Sequence, residues 1–122
     1  MVSQIWEMSA VEAHRLLKEK KLSAREVLES SISRIEEVDS ELNALPEKCF
    51  GRAKKIAERI DNNPTNGIRN LHGLPIAIKD YNDLSGAKTT YGSPLFKDNI
   101  PKDSDRTVRI LEDNGANCVA KS

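Results

Sequence analysis

Two short apolar segments constrain the fold of this chain most strongly. They read LPIAIK at residues 74–79 and NCVAK at residues 117–121. Between them lie a loop rich in Gly, Ser, Thr and Asn and then a helical pattern at 103–115, with Gly115 in the position of a C-cap glycine. Parallel strands need a crossover of this kind, and the crossover is nearly always right-handed. The pattern therefore predicts a βαβ unit with buried strands, the first of them covered on both faces.

The first half of the chain is predicted to be helical. Ser9–Glu12 and Ser23–Glu26 both have the capping-box pattern, in which a hydroxyl and a carboxylate bind the free amides of a helix start. The helix after the second box contains the serine pair 30–31, which we interpret as structural. A third helix is expected after Pro46 and ends in the turn-forming run 61–67. Both helices carry an apolar stripe, formed by Leu28, Ile32, Ile35, Val38 and Leu42 in one and by Cys49, Phe50, Ala53, Ile56, Ala57 and Ile60 in the other.

Two short strands offer too little surface to bury the apolar stripes of these helices. We divide the chain into a helical region at 1–66 and an α/β region at 67–122. Each large apolar side chain left in water forgoes roughly 1.5 to 3 kcal/mol of stabilisation. The chain is therefore expected to form a homo-oligomer, to exchange helices between copies or to leave its C-terminal half poorly ordered.

The charge and cysteine content narrow the function classes. The 122 residues include 19 basic and 19 acidic ones, so the basic footprint of a protein that binds nucleic acid or a membrane surface is missing. Neither an export signal nor a long apolar membrane span is present. Cys49 and Cys118 lie far apart and outside any short Cys or His cluster, and His14 and His72 are the only histidines. We therefore expect a cytoplasmic protein with reduced thiols, no metal and no cofactor.

Lys79 directly follows the most apolar run of the chain. An ammonium group removed from water costs on the order of several kcal/mol unless it is paired, reaches the surface or loses its proton. Lys79 is therefore either a surface residue at a strand end or a lysine used for its chemistry. A position flanked by Ile76 and Ile78 suits a lysine that is neutral part of the time and takes a proton from a serine.

Five separated pieces of the chain resemble a known family in their order and spacing. They are LSAREVLESSISRIEEVDSELNAL at 22–45, LHGLPIAIKD at 71–80, TTYGS at 89–93, an Asp before a helix that ends in NGAN, and AKS at 120–122. Together they resemble the opening of the amidase signature family. The match covers nearly all of this chain but only the N-terminal minority of a family member.

This resemblance implies both a fold and a reaction. The fold is α/β: N-terminal amphipathic helices followed by a βαβ unit, an incomplete piece of the family's mixed sheet covered by helices. The reaction is hydrolysis of a carbon–nitrogen amide bond in a small molecule by a nucleophilic serine, a second serine preceded by a cis peptide bond, and a lysine base. The lysine of IAIKD falls on Lys79, which is thereby implied to be that base. Lys121, in the AKS that matches the family's Gly-Lys-Ser/Thr pattern, is implied to be structural, and Ala120 stands where glycine is commoner.

Both serines of this Ser-cisSer-Lys mechanism are missing from the 122 residues. In the family they lie in a stretch rich in Gly and Ser, whereas Ser93 and Ser122, the candidates by position here, lack the glycine-rich surroundings of an oxyanion hole. We therefore expect an N-terminal fragment of an amidase that is inactive alone and associates with itself or with the rest of the enzyme. Two alternatives stay open. One is a non-catalytic helical association module; the other is a fragment of the glutamine-dependent amidotransferase branch, which releases ammonia for use on a charged transfer RNA and gains no support from zero net charge.

Overall fold

The described part of the chain folds into four α-helices and a small three-stranded sheet. The computed structural model describes residues 2–63 and 67–122. In order, the elements are a 3-10 helix (Val2–Glu7), α1 (Ala10–Lys18), α2 (Ala24–Leu42), β1 (Glu47–Lys48), α3 (Phe50–Asn62), β2 (Pro75–Ile78), a 3-10 helix (Pro94–Phe96), α4 (Arg106–Asp113) and β3 (Asn117–Lys121). The sheet order is β1-β3-β2, with β3 antiparallel to β1 and parallel to β2. The predicted α/β fold, its mixed sheet and its βαβ unit are confirmed.

The two predicted capping boxes differ in the structure. At the start of α2, Ser23 Oγ accepts a hydrogen bond from the amide of Glu26 at 3.1 Å, and the Glu26 carboxylate accepts one from the amide of Ser23 at 2.9 Å. At the start of α1, Ser9 Oγ accepts from the amide of Glu12 at 3.2 Å, but the Glu12 carboxylate binds the Arg15 guanidinium at 2.7 Å. The predicted return bond, from the Ser9 amide to the Glu12 carboxylate, is therefore wrong, because Arg15 one turn away binds that carboxylate instead.

Two apolar clusters form the core, and β3 contributes residues to both. Every residue of β3 is buried, and its register against β2 shifts at Val119, since Ile76 pairs with Cys118 and Ala77 with Ala120. Val119 belongs to the cluster that joins α1, α2 and α3, whereas Cys118 belongs to the cluster between β2 and α4. Buried Ser30 lies in α2, where its hydroxyl accepts a hydrogen bond from the amide of Trp6 at 3.1 Å, a structural role as predicted.

The strand β2 is less covered than the sequence predicts. The expectation of a strand buried on both faces is wrong, since β2 pairs only with β3 among the described strands and Ala77 is exposed. The two-residue strand β1 was not predicted at all; its Glu47 and Lys48 pair with Lys121 and Ala120. The edges of the sheet are therefore β1 on one side and β2 on the other.

Gly115 holds the end of α4 against the entry to β2. It follows the C-cap residue Asn114 and has φ of +97°, which confirms the predicted capping glycine. Its carbonyl accepts a hydrogen bond from the amide of Gly73 at 2.9 Å, and a Cβ added at Gly115 would lie 2.8 Å from His72 Cα. This close approach sets where both parallel strands begin. None of the helices in the described ranges has the length and apolar content needed to cross a bilayer.

Candidate active site at the carboxyl ends of the parallel strands

Lys79 lies immediately after β2, and the backbone on both sides of it is fixed. The amide of Ser122 donates a hydrogen bond to the carbonyl of Ile78 at 2.9 Å, and the amide of Asp80 donates to the carbonyl of Ser122 at 3.0 Å. This edge, where parallel strands end, is where open α/β sheets place their ligand-binding groups. The sequence candidate therefore stands at a chemically useful position on a rigid part of the backbone.

The side chain of Lys79 is exposed, and its Nζ lies 5.4 Å from the centroid of the Tyr81 ring. Its apolar neighbours Ile76 and Ile78 do not bury it, because residues at odd and even positions of a strand point to opposite faces. The amine is thus open to solvent and to any group that approaches this edge of the sheet.

The buried lysine of this region is Lys121, at the end of β3. Its side chain is fully buried, and its Nζ donates hydrogen bonds to the Asn82 carbonyl and to Thr89 Oγ1, the latter at 3.1 Å. Burial lowers the pKa of Lys121, and the nearby Asp80 carboxylate opposes part of that decrease. Lys121 therefore anchors the loop after Lys79 to the end of β3.

Asp80 organises the same loop from its other side. Its carboxylate accepts hydrogen bonds from Thr90 Oγ1 at 2.5 Å, the Thr90 amide at 3.0 Å and the Gly92 amide at 3.3 Å. Burial by itself raises the pKa of Asp80, but these three donors outweigh it and hold the pKa below its ordinary value. Asp80 is therefore ionised at neutral pH and closes the loop from residue 80 to residue 92.

A second carboxylate, Asp105, fixes the first part of that loop. Its Oδ2 accepts hydrogen bonds from the Asp83 amide at 3.0 Å and from Asn82 Nδ2 at 3.3 Å. The Tyr91 hydroxyl donates to the Asp83 carboxylate in turn. Sequence reasoning did not assign roles to these residues, since their partners are 8 to 23 positions away; the adjacent pair Lys79-Asp80 was the one local signal.

The serines considered from the sequence are not arranged as nucleophiles. Ser93 Oγ accepts a hydrogen bond from the Leu95 amide at 3.3 Å and so caps the short 3-10 helix. Ser122 takes part through its backbone, as described above. Among the residues that the structure describes, no three His, Cys, Asp or Glu side chains are grouped to hold a metal ion. The arrangement offers one accessible amine on a fixed backbone, next to an ionised carboxylate.

Comparisons with known proteins agree on one family. A family model described as Amidase matches residues 26–122. The chain is 30% identical over 125 residues to a glutamyl-tRNA(Gln) amidotransferase subunit of Dehalococcoides mccartyi, covering 99% of this chain and 25% of that protein.

Solved structures resemble the fold closely. The peptide amidase from Stenotrophomonas maltophilia superposes with a TM-score of 0.86 at 26% identity, covering 94% of this chain and 24% of that one. A bacterial aryl acylamidase of the amidase signature family superposes with a TM-score of 0.85 at 27% identity, covering 93% of this chain and 24% of that one. The chain thus spans about a quarter of the length of the relatives it matches.

Proposed function

Since this chain belongs to the amidase family, we propose that it supplies the lysine-bearing part of a site that hydrolyses carbon–nitrogen amide bonds, with Lys79 as the base. The observation that carries the proposal is the position of Lys79. Its backbone is fixed on both sides by Ser122, and its amine is exposed at the edge of the sheet where ligand-binding groups collect.

The proposed chemistry needs groups beyond these 122 residues. A nucleophilic serine attacks the amide carbon, and a second serine relays its proton to neutral Lys79, which returns it to the leaving amine. No stretch rich in Gly and Ser in this sequence provides the two serines or the backbone donors of an oxyanion hole. We therefore propose that the 122 residues have no turnover alone.

Exposed aromatic side chains near Lys79 support a packing surface for the serine-bearing segment. Tyr81 is 68% exposed beside Lys79, and Tyr91 and Phe96, also exposed, form an edge-to-face ring pair with centroids 5.3 Å apart. The Asp80 contact to Gly92 ties this ring pair to the loop after Lys79. We propose that the serine-bearing segment covers these rings, and that a second copy of the chain covers them when that segment is absent. We also propose that the protein is cytoplasmic, a reducing compartment in which the two buried cysteines stay free.

A chimera tests the role of Lys79. The segment of the Stenotrophomonas maltophilia peptide amidase that this chain matches is replaced by these 122 residues, so that the parent supplies both serines. We expect the folded chimera to hydrolyse the substrate of the parent, and Lys79→Ala to lower kcat by about 10² to 10⁴, the range for loss of a general base.

The matched control is Lys97→Ala, which removes an exposed lysine of the same region. It should leave kcat within a factor of two of the chimera, about 0.4 kcal/mol. Turnover that survives Lys79→Ala would disprove the assignment, and so would a chimera that folds like its parent, by circular dichroism and thermal melting, yet has no Lys79-dependent activity.

The amidotransferase branch is a second candidate for the complete enzyme. Relatives at about 30% identity are named as subunits of glutamyl-tRNA(Gln) amidotransferase. The same replacement, made in the protein from Dehalococcoides mccartyi and assayed for release of ammonia from glutamine, distinguishes the two branches. Lys79-dependent glutamine hydrolysis there, with none in the peptide amidase chimera, would favour this second candidate.

A further inference from the structure

A cavity of about 610 Å³ lies at the opposite end of the parallel strands from Lys79. Its walls come from α3, from residues 67–72 before β2, and from the Gly115–Ala116 turn before β3. Because β2 is four residues long and a strand rises about 3.3 Å per residue, at least about 13 Å separates the cavity from the carboxyl end of the sheet. The cavity is therefore separate from the proposed amide-hydrolysing site.

The lining of this cavity carries a marked excess of positive charge. Four cations, Arg52, Lys55, Arg59 and Arg69, face one carboxylate, Glu112, which leaves an excess of three positive charges. The Glu112 carboxylate is already paired with Arg52 at 2.6 Å. Burial lowers the pKa of His72 in the same wall, so its imidazole is neutral at pH 7 and does not add to this charge.

Three of the four cations, Lys55, Arg59 and Arg69, take part in no ion pair among the residues that the structure describes. Lys55 and Arg59 lie four positions apart on α3, a spacing that brings like charges together on a helix surface and destabilises it. Arg69 faces them across the cavity, held by a hydrogen bond from its Nη1 to the Asp113 carbonyl at 3.2 Å. A bound anion would relieve the repulsion between these cations.

The lining of the cavity also includes three apolar residues, Ile56, Ile60 and Ala116. The volume exceeds the need of an inorganic anion and falls in the range of roughly 300 to 1,000 Å³ that is typical of small-molecule sites. A phosphate monoester carries about −1.5 to −2 charges and three acceptor oxygens, which matches three excess cations better than one carboxylate does. We propose that this cavity binds an organic phosphate, with the phosphate at Lys55, Arg59 and Arg69 and the organic part over Ile56 and Ile60.

Isothermal titration of the purified chain with phosphate esters tests this site. The probes are adenosine monophosphate and a hexose monophosphate. Inorganic phosphate, which has no organic group, and adenosine, which has no phosphate, are the control compounds. We expect at least one ester to bind about tenfold or more tightly than inorganic phosphate and adenosine. Its affinity should fall as salt rises, since exposed charges are screened.

Variants of α3 distinguish binding in the cavity from non-specific attraction of the phosphate ester to any surface cation. Lys55→Gln with Arg59→Gln should weaken binding of the ester by about tenfold or more. Lys54→Gln is the matched control on the same helix, because Lys54 lies outside the cavity lining and pairs with Glu29 at 3.5 Å; it should change the dissociation constant by less than about twofold.

Two results would overturn the proposal. One is that neither ester binds more tightly than inorganic phosphate; the other is that Lys54→Gln weakens ester binding as much as the double substitution does. Neither result bears on Lys79, since the assay contains no amide and the chimera experiment contains no phosphate ester.

Discussion

Replacing Asp80 by Asn isolates the contribution of one carboxylate to the loop beside Lys79. In the native chain the carboxylate receives three hydrogen bonds, two from Thr90 and one from the Gly92 amide. An Asn side chain has the same shape but only one acceptor oxygen, so either one or two of these donors lose their partner. The charge that opposes the decrease in the pKa of Lys121 also disappears.

The expected loss of stability follows from these contacts. A hydrogen bond to a charged group is worth about 1.5 to 3 kcal/mol, and the low end applies to Asp80, which is only partly buried. The 3.3 Å contact to Gly92 counts for less than the two shorter ones. Asp80→Asn should therefore lower the free energy of unfolding by about 2 kcal/mol, a shift of about 1 M in the urea midpoint at an m-value of about 2 kcal/mol/M.

The effect should depend on pH in a defined direction. Because the folded state lowers the pKa of Asp80, the carboxylate stabilises the fold fully above its unfolded pKa of about 3.9. That contribution is lost as pH falls through the lower folded pKa. The difference between the native chain and the variant should thus stay constant from neutral pH to about pH 5 and shrink below about pH 4.

Urea titration and amide hydrogen exchange measure this effect, with Asp98→Asn, an exposed carboxylate in the same loop, as the control. The amides of Thr90 and Gly92 should exchange faster in Asp80→Asn and not in the control. The reasoning is refuted if the two variants lose equal stability or if the exchange of both amides is unchanged.

Three further outcomes are expected from single sites. Gly115→Ala should lower the free energy of unfolding by about 2 to 4 kcal/mol, because alanine disfavours a φ of +97° and its Cβ would clash with His72. A decrease of less than about 1 kcal/mol in thermal unfolding would contradict this. Ser30→Ala should cost about 1 kcal/mol, because the Trp6 amide loses its acceptor, and an unchanged melting temperature would argue against that bond. Burial raises the pKa of Cys118 to about 12, so a thiol reagent at about pH 8 should label it in denaturant but not in the folded chain, and rapid labelling of folded protein would show the site is open.

Much of the secondary structure was predictable because its causes are local. The capping box at Ser23 and Glu26 acts within one helical turn. Gly115 was predictable because a helix that ends in a residue with positive φ favours glycine there. The strand Asn117–Lys121 was predicted with its observed bounds. The division into regions 1–66 and 67–122, the association of the chain with itself and the catalytic role of Lys79 stay predictions.

The tertiary structure decided which lysine is buried. From the sequence, Lys79 follows an apolar run and Lys121 ends one, so both had similar surroundings. Lys121 is buried because the loop after β2 returns the Asn82 carbonyl and the Thr89 hydroxyl to its amine, from 39 and 32 positions away. Lys79 stays exposed because β2 is an edge of the described sheet.

The strand β1 and the acidic network around the loop have the same origin. Glu47 and Lys48 form a strand only because β3 offers them unpaired backbone groups, and Asp80 and Asp105 find their donors 10 to 23 positions away. Periodicity and capping are encoded within a few residues, so the sequence by itself determined the helices, the strands β2 and β3 and their parallel pairing. Burial, ionisation and loop closure depend on groups that only the folded backbone brings together, and these decided the surroundings of both lysines.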